Sequence, residues 1–227
     1  MGVRERQERE REAVSRSILD AARELFVTHG YHEVSIRKIA ERIEYSPAAI
    51  YSYFPSKDDI FFALAEEGFR LLFSYGLEAP EDAAREPLGR LRAMFLRYYE
   101  FSKEHPEYFA LMFLDRSVPR ISQNWNRFGF VGEMRHEMID RIRRAIDAGA
   151  LPAGTSAECV MRVALTAVHG AATMRLCDRL GRGEDGDALA RVTLDSALMG
   201  LRAGAGAGIN DETFPPCSFT DSEDKQS

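Results

Sequence analysis

From Ser46 to Tyr53 the chain reads Ser-Pro-Ala-Ala-Ile-Tyr-Ser-Tyr, side chains that could touch a nucleic acid. A serine followed by proline starts a helix, because the proline's missing N–H is not needed in the first turn. Ile50 and Phe54 lie four apart and define the buried side. Pro47, Ala48, Ala49, Tyr51, Ser52 and Tyr53 are left on the outer side and edges. A solvated helix normally shows Lys and Glu there. Small side chains instead let the backbone approach base edges, and alanine methyls can meet thymine methyls. Hydroxyls of Ser46, Tyr51 and Tyr53, and N–H groups at the helix start, can reach phosphate oxygens. The competing reading is an ordinary helical hairpin in an all-α core, since this spacing alone is common.

The residues before this run position it. Ile36, Ile39, Ala40 and Ile43 fall at i, i+3, i+4 and i+7, which puts one apolar stripe on a helix. Ser35 stands where a hydroxyl caps that helix. Arg37, Lys38, Glu41 and Arg42 take its wet face. Upstream, Ile18, Ala22, Leu25 and Phe26 form the stripe of a first helix that stops at His29-Gly30. Downstream, Ser56 with Asp59 caps a fourth helix, whose buried face carries Ile60, Phe61, Leu64 and Leu71.

The whole segment resembles the N-terminal domain of the TetR family of bacterial transcription regulators. The resemblance is carried by Ile50-Tyr51-Ser52-Tyr53-Phe54-Pro55-Ser56-Lys57, by Ile18 to Phe26, and by His29-Gly30-Tyr31. It covers roughly residues 14–75. It implies that Ser35 and Arg37 contact phosphate or base edges from the supporting helix, with either target open for Arg37. It also implies that Ala48 and Ala49 face bases, that Tyr51 and Tyr53 touch backbone or base, and that Lys57 pairs with a phosphate. Many members carry Gly and Ser or Thr where this chain has Ala48 and Ala49, so one phosphate-binding hydroxyl is missing.

Composition suits a soluble globular protein: 45% hydrophobic and 29% charged residues, with a net charge of −6. Residues 1–57 hold ten Lys/Arg against nine acids. The reading segment is therefore the least acidic part but no strong basic patch, and pairing of two readers must supply much of the affinity. Arg4 to about Asp20 is dense in Glu and Arg. It extends the first helix or frays as a solvated arm over residues 1–13, and its balanced charge argues against a DNA-contacting arm. No apolar run is long enough for a membrane span, and the charged start is no signal peptide, so a cytoplasmic location is expected.

An enzyme is the alternative class. No glycine-rich phosphate loop, nucleophile elbow or metal-spaced His/acid cluster is visible, so neither catalytic residue, metal nor cofactor is assigned. Cys159, Cys177 and Cys217 are odd in number and widely spaced, which opposes a disulfide framework or zinc site.

Helical periodicity dominates throughout, and the fold expected is all-α. It has a three-helix reading domain (14–75), a joint around Gly76 to Pro87, a larger helical domain (87–202), and an unstructured tail (203–227). In the larger domain, one helix carries Leu91, Phe95, Tyr98 and Tyr99 and ends near His105-Pro106. A short apolar helix follows over Tyr108 to Leu114, then a helix with Trp125, Phe128, Met134, Met138 and Ile142. Thr155 and Glu158 suggest a capping box for a long helix to Leu176, and a last helix spans Leu189 to Leu201.

Two surfaces are expected there. Val163, Ala167, Ala171, Met174, Val192, Leu194, Leu198 and Leu201 give the last two helices apolar residues on more than one face. That fits either a thick monomer core or pairing with a second copy, which would present two readers to a palindromic operator. Phe109, Met112, Phe113, Trp125, Phe128, Met134, Met138 and His169 could line a cavity for an apolar or aromatic effector, or simply fill the core. The segment Phe101 to Phe113 is similar to one effector-domain class with a Trp-His-Gly triplet, here Val168-His169-Gly170. The function expected is a ligand-responsive, homodimeric repressor, with an activator as the nearer alternative.

Overall fold

Helices on both sides of the chain's midpoint begin at a serine or aspartate whose side chain caps them. In the computed structural model, which describes residues 2–77, 86–121 and 125–206, every regular element is helical. The order is α1 (Val3–His29), α2 (Ile36–Arg42), α3 (Pro47–Tyr51), α4 (Lys57–Leu77), α5 (Pro87–Glu104) and α6 (Pro106–Phe109). There follow a π-turn (Ala110–Leu114), a 3-10 turn (Trp125–Phe128), α7 (Gly129–Asp147), α8 (Ala157–Leu176) and α9 (Gly186–Arg202). Ser35, Ser46 and Ser56 accept hydrogen bonds from the backbone N–H groups of Lys38, Ala49 and Asp59 at 3.2, 3.2 and 3.1 Å. Gly30 ends α1 with φ 80°, a left-handed conformation that glycine adopts without Cβ strain.

The capping box expected at Thr155 and Glu158 is not formed. Ser156 caps α8 instead, accepting from the Cys159 N–H at 3.3 Å, and the Glu158 carboxylate turns inward to a buried ion pair with Arg135. The last helix starts a turn earlier than expected because Asp185 accepts from the Asp187 N–H at 2.8 Å.

The chain divides into two packed units. The first takes the chain up to Phe69 and the segment from His105 through the π-turn. Ile18, Ala22 and Phe26 of α1 are buried with Ile39 and Ala40 of α2, Ile50 of α3, and Ile60, Phe61 and Leu64 of α4. Tyr108 and Phe109 of α6 join this core. The reading-domain boundary expected near residue 75 thus misses a later segment that packs with the first helices. Gly68 allows that packing. A Cβ there would lie 2.4 Å from Met112 Sδ and 3.0 Å from Tyr108 Cδ1.

The second unit takes Arg70–Glu104 and the chain from the 3-10 turn onward. Helix α5 packs against α7, α8 and α9, and α8 and α9 form a hairpin. Leu91, Met94, Phe95 and Tyr99 of α5 are buried in its core, as are Ile139, Ile142, Val160, Ala164, Val168, Ala172, Ala190, Leu194 and Leu198 of the helices packed against it. Polar ties fix the helices: Arg92 to Asp195 in a two-pronged pair, Lys103 to Asp187 at 2.8 Å, and Arg175 to the Ser102 carbonyl at 2.6 Å. Among the described residues no helix is long and apolar enough to cross a membrane. Residues 207–227, most of the tail expected to lack structure, lie outside those described.

Candidate nucleic-acid interface

Helices α2 and α3 are joined by a tight turn in which Glu44 adopts φ 61° and the Tyr45 N–H donates to the Ala40 carbonyl at 2.9 Å. That left-handed residue reverses the chain sharply. Ile50, fully buried, anchors α3 to the unit, while Phe54 is only half-buried. The opposite side of α3 faces solvent. Tyr51 is 54% exposed and Tyr45 44%, with Ser46, Pro47, Ala48 and Ser52 also exposed and Ala49 half-buried. Exposed tyrosines beside bare alanines leave a low-relief helix that a base-pair edge can approach. Sequence spacing alone does not single out Tyr45. Its place in the turn disguises it, although it stands next to Ser46 on the same exposed surface.

The supporting residues are held in particular ways. Ser35 uses its oxygen as a helix cap. The Arg37 guanidinium lies on the surface and pairs with Glu41 at 2.8 Å. Such an exposed pair is weak enough to exchange for a phosphate. Ser52 donates to the Ala49 carbonyl at 2.7 Å. Tyr53 is half-buried under the Arg11 guanidinium, which lies 5.6 Å from its ring centre.

Lys57 has partners of its own within the unit. The resemblance implies a cation offered to phosphate, but its ammonium donates to the Tyr31 and Val34 carbonyls at 2.9 and 3.0 Å. It also sits 4.0 Å from the Tyr31 ring centre. Burial holds its pKa below the ordinary lysine value, partly offset by Asp58. Two carbonyls and an aromatic face outcompete water for this charge because the site is partly desolvated. Lys57 thus clasps the start of α4 to the loop after α1.

The expected effector and dimer residues are also partly re-sorted. Phe109, Met112 and Phe113 belong to the first unit, where Phe113 packs 5.1 Å from Phe109 and 6.1 Å from Phe69. Phe128, Met134, Met138 and His169 belong to the second, with Phe128 buried and the others half-buried. The Trp125 side chain lies outside the described residues. The Tyr98 hydroxyl and His169 Nδ1 are 2.8 Å apart.

Ala171, Leu194, Leu198 and Leu201 are 3% exposed or less, filling the core of their own chain, which corrects their expected place on a partner surface. Met174 and Val192 are exposed, Val163 and Ala167 half-buried. Met199, 59% exposed, shares the outer surface with exposed Thr166, Gly170 and Ser196, none of which the apolar pattern marks out. Because α8 and α9 are apolar on two faces, periodicity could not say which face the monomer keeps. Of the cysteines, Cys159 is buried, Cys177 is exposed, and Cys217 is outside the described residues.

An all-helical protein with an exposed, capped and turn-locked reading helix is a helix-turn-helix DNA-binding protein. Residues 18–64 match the family described as bacterial regulatory proteins, tetR family, and residues 91–197 match the tetracyclin repressor-like C-terminal domain. An HTH-type transcriptional repressor of Mycobacterium tuberculosis is 31% identical over 178 residues, 78% of this chain and 87% of that one. A solved Rhodococcus structure of unknown function overlays with a TM-score of 0.68 at 26% identity, covering 83% of this chain and 95% of that one. The TetR family regulator PfmR of Thermus thermophilus overlays at 0.64 with 23% identity, covering 81% and 98%. The chain belongs to the TetR family of transcriptional regulators, and it is a DNA-binding regulator.

Proposed function

We propose that this regulator is a homodimeric repressor that releases a two-fold symmetric operator when an apolar or aromatic small molecule binds its second unit. The observation that carries the dimer is the outer face of the α8–α9 hairpin. Thr166, Gly170 and Met174 on α8 and Val192, Ser196 and Met199 on α9 are all exposed. Val192 at 62% and Met199 at 59% are among the most exposed large apolar residues of the described chain. Gly170 has open space where a Cβ would be, so nothing in its own chain calls for glycine. A second copy crossing at Gly170 would use that space, and the isologous pairing would join two hairpins into a four-helix interface. Two readers then address half-sites about 34–36 Å apart or a multiple of that turn.

For the effector, Phe128, Met134 and Met138 supply apolar and adaptable surface, and the Tyr98–His169 pair supplies a polar handle. Release requires the ligand to favour the dimer arrangement that no longer fits the operator. A near-complete switch needs about 5.5 kcal/mol of differential binding. The repressor relative supports the sign of the response, and action on chromosomal DNA supports a cytoplasmic location.

Sedimentation analysis of Gly170→Leu tests the dimer. A folded monomer with weakened operator binding is expected, and an unchanged dimer would overturn the interface. Gel shifts on duplexes recovered by the wild-type chain from a random pool, with a panel of aromatic and fatty acids, test the response. Ligands that bind without altering operator affinity would sink the ligand-release half. A reporter that loses expression when the gene is deleted would make the chain an activator.

A further inference from the structure

Helix α1 begins at Val3, yet its first fully buried residue is Ile18. Residues 4–13 are exposed throughout, so about three helical turns project beyond the core they belong to. Charge along this arm is balanced in sequence but not around the helix. At 3.6 residues per turn, Arg4, Gln7 and Arg11 fall within about 40° of Ile18, on the same stripe as Val14, Ala22 and Leu25. The acids lie away from that stripe, Glu8 and Glu10 by about 80° and Glu5 and Glu12 by more. The stripe that buries apolar side chains inside the unit therefore continues outward as two cations and an amide.

The other arm cations lie on other faces of the helix and have local partners. Arg6 pairs with Glu10 at 2.9 Å, and Arg9 donates to the Glu5 carbonyl at 3.3 Å. Arg16, at the base of the arm, pairs with Asp20 and Glu67 at 2.7 and 2.6 Å. Neither Arg4 nor Arg11 forms an ion pair among the described residues. Arg11 instead lies over the ring of Tyr53, next to the exposed end of the reading helix. This contact fixes the direction of the arm: its cationic stripe is on the side of α1 that faces Tyr53, two residues beyond the end of α3.

We propose that the α1 arm is a second DNA-contacting element, with Arg4 and Arg11 binding the phosphate backbone flanking the bases read by α3. This rests on the DNA-binding reading of α3 and adds a site to it. Arg4 lies seven residues, about 10 Å along the helix, from Arg11. That spacing spans more than one phosphate step of a strand, which repeats at about 3.4 Å of axis. The contact is electrostatic and independent of sequence, and it adds affinity to a segment, residues 1–57, whose ten Lys/Arg face nine acids.

The test is the salt dependence of binding by the full-length chain to a duplex it recovers from a random-sequence pool. R4Q/R11Q is expected to reduce the slope of log K against log salt by about 1.8 per bound chain, since two phosphates are no longer neutralised. R4K/R11K should keep most of the slope. R6Q/R9Q, removing equal charge from the other faces, should leave it almost unchanged. Hydroxyl-radical footprints should shorten at their outer edges with R4Q/R11Q alone. Equal slopes for wild type and R4Q/R11Q, or equal reductions for both glutamine pairs, would overturn the proposal. Tyr51→Ala separates the two readings: it should lower selectivity between recovered and arbitrary duplexes, while the arm's share of the slope persists.

Discussion

The Lys57 ammonium stands 4.0 Å from the centre of the Tyr31 ring and donates to the carbonyl of the same residue at 2.9 Å. A second bond, to the Val34 carbonyl at 3.0 Å, ties this nitrogen to the segment just before α2. Tyr31 in turn donates its hydroxyl to Asp58 and packs 5.1 Å from Phe26 and 5.8 Å from Phe61. One lysine thus joins the start of α4, the loop after α1 and the approach to α2, the three elements that aim α3.

Lys57→Met should therefore act on stability first. It leaves two partly buried carbonyls without their donor, at about 1–3 kcal/mol for each unsatisfied group in the worst case. A loss of roughly 2–3 kcal/mol in urea unfolding is expected. Lys57→Arg should not restore it, because a planar fork cannot place one nitrogen between both carbonyls. Arg37→Gln is the contrast. Its exposed pair with Glu41 contributes under about 1 kcal/mol, so unfolding should barely move while operator affinity drops.

Glu44 offers a prediction of opposite sign. It holds φ 61° in the turn between α2 and α3, where a residue with a Cβ is strained by about 1–2 kcal/mol. Asparagine tolerates this conformation better. Glu44→Asn should raise stability by a few tenths to about 1 kcal/mol. It also removes a carboxylate beside the reading surface, so DNA affinity at low salt should rise. A thermal melt and a salt titration of binding check the two effects separately; a lowered melting temperature would contradict the strain argument.

In the second unit the buried pair of Glu158 and Arg135 carries a large expected effect. The side chains are 8% and 15% exposed. Removing one partner strands the other charge, which costs about 3–5 kcal/mol. Glu158→Gln should unfold the second unit at markedly lower denaturant, whereas the apolar double replacement Arg135→Met with Glu158→Leu should recover most of the loss. Failure of the double variant to improve on Glu158→Gln would mean that specific polar geometry, and not charge pairing alone, holds α7 to α8.

The reading helix was legible because its chemistry is local. Ser35, Ser46 and Ser56 cap the helices that follow them, and the apolar spacing of Ile36, Ile39 and Ala40 decides which side is buried. What escaped was set by three-dimensional competition. Lys57 found two carbonyls that are 26 and 23 residues away in sequence. Glu158, spaced correctly for a capping box, was drawn to Arg135 instead. In α9, Leu194 and Val192 look alike in sequence, yet one is fully buried and the other 62% exposed. An isolated helix with two apolar faces does not say which one its own chain will cover.

The Tyr98–His169 pair gives a pH dependence whose sign is fixed. The two groups are 2.8 Å apart, and burial holds the His169 pKa below its ordinary value. Burial also keeps the Tyr98 phenol protonated across the accessible range. The hydroxyl and the neutral imidazole share one hydrogen bond at Nδ1, whose direction follows the imidazole tautomer. In the unfolded chain His169 titrates near the usual 6.5, so below that pH the unfolded state binds a proton that the folded state still refuses. Stability is unaffected well above this value. It falls as pH drops through the window between 6.5 and the lower folded pKa. Thermal midpoints of the wild type should decline between about pH 7.5 and about pH 5. His169→Gln, which cannot take up a proton, should show a smaller decline over the same range. A wild-type decline matched in full by the variant would assign the effect to other groups and leave His169 charged or neutral without consequence for the fold.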